Sequence, residues 1–85
     1  MIKFEYVIQD VLGIHARPAG LLVREATKYQ SSIILYKDDK MADAKKIFNI
    51  MKLGVKCGNV VTIKIDGEDE KSAAEGIFQI LKTYL

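Results

Sequence analysis

The feature that most limits this chain is a change of hydrophobic period across one short loop. Before it, Ile2, Phe4, Tyr6 and Ile8 alternate with Lys3, Glu5 and Val7, the pattern of a strand with one buried face. After it, Ala19, Leu22, Val23 and Ala26 fall at i, i+3, i+4 and i+7, the stripe of a helix expected to end near Tyr29. Residues 10–15, with Gly13 among them, read as the loop between the two. A chain that switches period in this way has to pack a helix stripe on a sheet face.

The remaining residues continue the switching. Ser32 to Lys37 reads as a strand, Asp38-Asp39 as a turn, and Lys40 to Asp43 as a short returning strand. Residues 45–53 predict a brief helix closed by Gly54 in a left-handed cap. Val60 to Asp66 is the last strand, with Gly67 turning the chain. Asp69 is expected to cap a final helix whose stripe is Ala73, Ala74, Ile77, Ile80, Leu81 and Tyr84. The order βαββαβα, with short connections, predicts an α+β open-faced β-sandwich: a four-stranded antiparallel sheet with three helices on one face. The order of strands within that sheet is not legible in the pattern.

Length and composition narrow the chemistry. The 85 residues make a single domain over residues 1–85. A domain of this size buries only about 60–65% of its unfolded surface. It has no room for a deep lidded pocket, so chemistry is expected at the surface or at a shared interface. The apolar fraction of 49% with 28% charged residues argues for a folded chain rather than disorder. A net charge of +2 is too small to announce nucleic-acid binding, and it favours acidic partner surfaces. No basic stretch precedes an apolar run near Met1, so no signal peptide is expected, and no segment approaches the ~18 apolar residues of a membrane span. The lone Cys57 makes no internal disulfide, which suits a reducing compartment; the cytoplasm is expected. Cys57 itself is expected to be a small buried residue beside Gly58, with no role assigned. One histidine and one cysteine do not make a metal set, and no cofactor is expected.

The candidate chemistry lies where the loop enters the first helix, at Gly13-Ile14-His15-Ala16-Arg17-Pro18-Ala19-Gly20. The first amides of a helix have no internal acceptor, and with the helix dipole they favour a nearby negative charge by roughly 0.3–2 kcal/mol. Pro18 fits a first turn, where its missing N–H is no loss. The anion site is therefore expected at Ala16, Arg17 and Pro18, with His15 just ahead of it. An imidazole of ordinary pKa, about 6.5, offers a free ring nitrogen near neutrality and can attack phosphorus. Phosphoryl transfer asks a protein mainly for positioning and charge stabilisation, and Arg17 supplies an always-charged planar donor. A lone histidine and arginine at a helix start also fit a loop without function.

The segment resembles the active-site signature of HPr, the histidine-containing phosphocarrier family of the bacterial phosphoenolpyruvate:sugar phosphotransferase system. Residues 45–54, Lys-Lys-Ile-Phe-Asn-Ile-Met-Lys-Leu-Gly, resemble that family's second signature. The element order also matches the family's open-faced sandwich. The resemblance implies that His15 accepts phosphate on Nδ1 from enzyme I, assisted by Arg17, and donates it to the IIA domains of sugar permeases. It describes a carrier intermediate rather than a stand-alone enzyme.

A partner surface is expected around the site. Arg17, Gly20, Leu21 and Arg24 fall within an arc of about 100°, opposite the apolar stripe, so Leu21 is expected to be exposed. The second helix carries Ile47, Phe48, Ile50, Met51 and Leu53, more apolar residues than a short surface helix can bury. Ile50 is expected inside. Phe48 and the adaptable Met51 are expected at an interface, rimmed by Lys45, Lys46 and Lys52. The resemblance adds Ile47 to the partner-facing residues. In many HPr proteins of low-GC Gram-positive bacteria a regulatory serine stands where this chain has Lys46, so no modification is expected there. Gly20 stands where relatives often have threonine or alanine.

Two function classes stay open on these residues: a phosphocarrier, and a regulatory or scaffolding paralogue that acts through protein–protein binding and uses His15 phosphorylation as a signal. Partners are accordingly enzyme I, IIA domains and regulatory proteins, met one at a time by a monomer. The lysines at 45, 46, 52 and 56 could track RNA phosphates, but no aromatic stacking signature accompanies them.

Overall fold

The computed structural model describes residues 1–85. The elements are β1 (Ile2–Val7), α1 (Ala16–Ala26), β2 (Ser32–Lys37), β3 (Lys40–Asp43), α2 (Ile47–Lys52), β4 (Val60–Asp66) and α3 (Glu70–Tyr84). All strand pairs are antiparallel, and the sheet order is β1-β4-β2-β3. Because β1 and β2 each run against β4, they run the same way as one another. Their link must therefore cross over the sheet, and α1 makes the crossing.

Alternation sets the two faces. Phe4 lies opposite Ile63, which lies opposite Leu35, and Leu35 pairs with Ala42 on β3. This inward row carries Ile33, Leu35, Val61, Ile63 and Ile65, all fully buried. The helices cover it with Ala19, Leu22 and Ala26 from α1, Ile50 from α2, and Ala73, Ile77 and Leu81 from α3. The outward row holds Glu5, Thr62 and Tyr36 at one level, with Lys64 Nζ over the Tyr36 ring at 4.9 Å. That face is left open, as expected of an open-faced sandwich.

The helix ends differ from the sequence reading. α1 stops at Ala26 rather than near Tyr29, because Lys28 and Tyr29 bond three residues back, to Glu25 and Ala26, and tighten the last turn. α2 begins at Ile47 rather than at residue 45, because Asp43 takes the amides of Lys45 and Lys46 through its carboxylate and carbonyl. The turn after α2 does use Gly54, at φ 64°. Asp69 sits at the N-cap position of α3 but makes no side-chain cap. Its carboxylate reaches back to the Gln30 and Ser31 amides (2.8 and 2.9 Å) and the Ser31 hydroxyl, tying α3 to the end of the α1–β2 connection. The Ser31 hydroxyl first, then the Gln30 amide, hold the Asp69 carboxyl below its ordinary pKa. On the α1–α3 contact, the Tyr29 hydroxyl donates to Glu25 at 2.8 Å, and a Cβ at Gly76 would overlap that pair.

Cys57 is exposed, against expectation, with its Sγ 3.6 Å from the Gln9 carbonyl. The 53–59 connection buries Leu53 and Val55 instead. Ile8 and the loop after it hold this connection through Gly58 N–H to Ile8 O (2.7 Å) and Ile8 N–H to Asn59 O (2.9 Å). Cys57 lies on the outer side of that clasp.

Candidate functional site

Gly13 and the residues after it fix where the first helix begins. Gly13 adopts φ 68°, a conformation that favours glycine, and a Cβ there would overlap the Val55 carbonyl. The next amide, of Ile14, donates to that same carbonyl at 3.0 Å, and the Ile14 side chain is buried. The chain then leaves the core, and His15 emerges as the N-cap residue of α1 with extended backbone. Its side chain is 37% exposed and caps nothing.

The first backbone bond of α1 runs from Ala19 N–H to His15 O, at 3.0 Å. The amides of Ala16 and Arg17 find no acceptor in the protein, Pro18 has none to offer, and no acidic residue stands in the first turn. An arriving anion therefore meets two free N–H donors and the positive end of the helix dipole with no carboxylate of the first turn in competition. Pro18 is buried while Ala16 and Arg17 are exposed. The cleft beside them has a volume of about 260 Å³ and is lined by Asp10, His15, Arg17, Pro18, Leu21 and Tyr84.

Two of these residues were not singled out as site residues in the sequence. Asp10 reads as an ordinary loop residue, yet its Oδ1 accepts the Leu12 amide at 2.8 Å while Oδ2 lies 3.8 Å from His15 Nε2. The signal that could have found it is the side-chain turn an Asp makes with the amide two residues on. Tyr84 was counted in the α3 stripe, but it is 42% exposed and lines the cleft, because the backbone oxygen of Leu85 accepts the Gln9 and Asp10 amides and draws the end of α3 against the loop.

The expected partner residues divide. Arg17 and Arg24 are exposed, Gly20 is half-buried, and Leu21 is half-buried within the cleft rather than fully exposed as expected. Gly20 faces the second helix, where a Cβ on it would meet the Ile47 side chain at an ordinary contact distance of 3.8 Å. On α2, Phe48 is 74% exposed and Met51 39%, with Ile47 half-buried and Ile50 inside. Lys52, four residues on from Phe48, also lines a hollow with Lys40, Met41 and Asn49 beside the sheet edge. Lys45 turns away from the rim, since its ammonium donates to the Tyr29 carbonyl at 2.8 Å, beside the end of α1. Lys46 is exposed at the N-cap of α2. Val11 and Leu12, 85% and 70% exposed, add an apolar tip to the loop that leads to His15, in a stretch whose sequence has no hydrophobic period to mark them.

An open-faced sandwich with one imidazole at a bare helix start, and apolar side chains on the adjoining helix, has the layout of a small histidine phosphocarrier. Comparison with known proteins agrees. The family model "PTS HPr component phosphorylation site" matches residues 2–83. The phosphocarrier protein HPr of Mycoplasma capricolum is 40% identical over 81 residues, covering 95% of this chain and 91% of the relative. The structure of HPr from Thermoanaerobacter tengcongensis superimposes with a TM-score of 0.92 at 40% identity, over 98% of this chain and 93% of that one. The catabolite repression protein Crh of Bacillus subtilis, whose crystal structure is a swapped dimer, superimposes with a TM-score of 0.77 at 36% identity, over 96% and 94% of the two chains. The chain belongs to the HPr phosphocarrier family.

Proposed function

We propose that this protein is a phosphocarrier of the phosphoenolpyruvate-dependent sugar phosphotransferase system, taking a phosphoryl group from enzyme I on His15 and giving it to IIA domains. The observation that carries this reading is the pair of unpartnered amides, Ala16 and Arg17, directly after an exposed histidine. They and the Arg17 guanidinium supply donors for the phosphoryl oxygens, in a cleft open enough for a partner's active site to enter. Asp10 lies toward Nε2, which leaves Nδ1 as the ring nitrogen free to bond phosphorus.

The docking surface in this reading is Gly20, Leu21 and Arg24 on α1 with Ile47, Phe48 and Met51 on α2, and Lys52 at its margin. One surface used in turn by several proteins suits a monomer in the cytoplasm, with neither nucleic acid nor membrane as partner. No helix is long and apolar enough to cross a membrane.

The test mixes the protein with enzyme I, labelled phosphoenolpyruvate and a IIA domain. Acid-labile label that appears on His15 and moves to IIA supports the carrier; absence of label refutes it. A regulatory role is the second reading, favoured by the similarity to Crh. Label that stays on His15 without onward transfer, together with a dimer in light scattering, supports that reading. Lys46 carries no hydroxyl, so incubation with kinase and ATP is expected to leave α2 unmodified in either case.

A further inference from the structure

We propose that Asp10 is a positioning residue for His15, its carboxylate keeping the proton of the neutral ring on Nε2 so that the Nδ1 lone pair faces phosphorus. This deepens, and rests on, the carrier reading above. Asp10 is itself held from two sides. Its amide donates to the Leu85 backbone oxygen at 3.0 Å, and its Oδ1 accepts the Leu12 amide at 2.8 Å. Only Oδ2 is left, and it is the atom 3.8 Å from Nε2. That separation exceeds a hydrogen bond of about 2.7–3.2 Å, so the two groups face each other without yet bonding. Catalytic hydrogen bonds commonly tighten when the reacting partner docks.

A neutral imidazole has one N–H and one lone pair, and the bond made by one nitrogen decides the state of the other. An ionised carboxylate only accepts, so beside Nε2 it selects the Nε2–H form. The other polar groups lining the cleft are Arg17 and the Tyr84 hydroxyl. Arg17 only donates, so it cannot take the place of Asp10 at an N–H, and it remains available for phosphoryl oxygens.

The transfer then balances without moving a proton. On loading, the Nδ1 lone pair forms the N–P bond while the bond from phosphorus to the donor protein's phosphorylated group breaks, its electron pair leaving with the donor. The ring, still bearing its Nε2 proton, carries the positive charge opposite Asp10. On unloading, the acceptor's nucleophile bonds phosphorus, the N–P pair returns to Nδ1, and the ring is again neutral with the same proton on Nε2.

Asp10→Asn tests this, because the amide must keep its oxygen toward the Leu12 N–H and turn its NH2 toward Nε2. A donor at that place draws the lone pair to Nε2 and the proton to Nδ1. Long-range 15N–1H spectra of the neutral ring are expected to report Nε2–H in the wild type and Nδ1–H in Asp10→Asn. The rate of His15 labelling by enzyme I is expected to fall at least tenfold, a modest share of the roughly 10²–10⁴-fold that proton placement contributes in other enzymes. Asp10→Ala, which removes acceptor and donor alike, is expected to fall between the two. The same tautomer in wild type and Asp10→Asn, or an undiminished labelling rate, overturns the proposal. A tautomer change with no label on any variant, wild type included, refutes the carrier reading while leaving the hold of Asp10 on the ring standing.

Discussion

The starts of α1 and α3 are alike in periodicity and opposite in charge. α3 opens with Asp69 at its N-cap position and Glu70 in its first turn, and Glu70 accepts the Gly67 amide at 3.2 Å. α1 opens with His15, an uncapped turn and no acid. Neither start has an ordinary side-chain cap, worth about 1 kcal/mol, but α3 carries acids there and α1 none. Asp69 serves the fold, joining α3 to Ser31 and Gln30. The bare start of α1 leaves the Ala16 and Arg17 amides without an acceptor in the protein, which fits the proposed phosphoryl site.

The largest effect expected along this contrast comes from Arg17→Ala. Removing the one fixed positive charge at the α1 start should slow labelling of His15 roughly a hundredfold, the scale seen when one preorganised donor is lost. Because Arg17 is exposed, the melting temperature should hardly move, and unchanged labelling would show that Arg17 has no part in transfer. Next is Ala16→Asp, which gives α1 an acid like that of α3. The resting fold should gain about 0.3–1 kcal/mol from the dipole, while labelling falls about tenfold as the new carboxylate repels the incoming phosphoryl group. A variant that gains stability and keeps its rate would mean that these amides do not meet phosphate.

At α3, Asp69→Asn should lower the melting temperature at neutral pH by loosening the tie to Ser31 and Gln30. Since the native carboxyl is held below its ordinary pKa, its stabilisation is complete above the ordinary carboxylate range of about 4 and fades as pH drops through the depressed native value. The gap between wild type and Asp69→Asn should therefore narrow in acid; a gap independent of pH would assign the tie to packing. Smallest is Gly20→Ala. The added methyl meets Ile47 at an ordinary 3.8 Å, so α1 should gain up to about 1 kcal/mol of helix propensity, about 4–8 °C in melting temperature. A loss of stability would show that the α1–α2 contact admits no methyl.

Much of this was legible along the chain, for a physical reason. Apolar runs bracketed by turn residues are local signals, so β2, β3 and β4 have the bounds expected at 32–37, 40–43 and 60–66. The stripe of α1 was equally plain, with Ala19, Leu22 and Ala26 all inside. The HPr signatures gave the family in the same way, through residues close together in sequence.

What the chain alone determined is local: the kind of each element, its buried face, and a histidine ahead of a helix without an acid. Tertiary structure decided what depends on residues far apart. The order β1-β4-β2-β3, the turn of Asp69 toward Ser31, the exposure of Cys57 beside the clasp of Ile8 on Gly58 and Asn59, and the meeting of Asp10, Tyr84 and His15 in one cleft were all of this kind. Periodicity records which side of an element avoids water, and it carries no information about which distant side chain waits on that side.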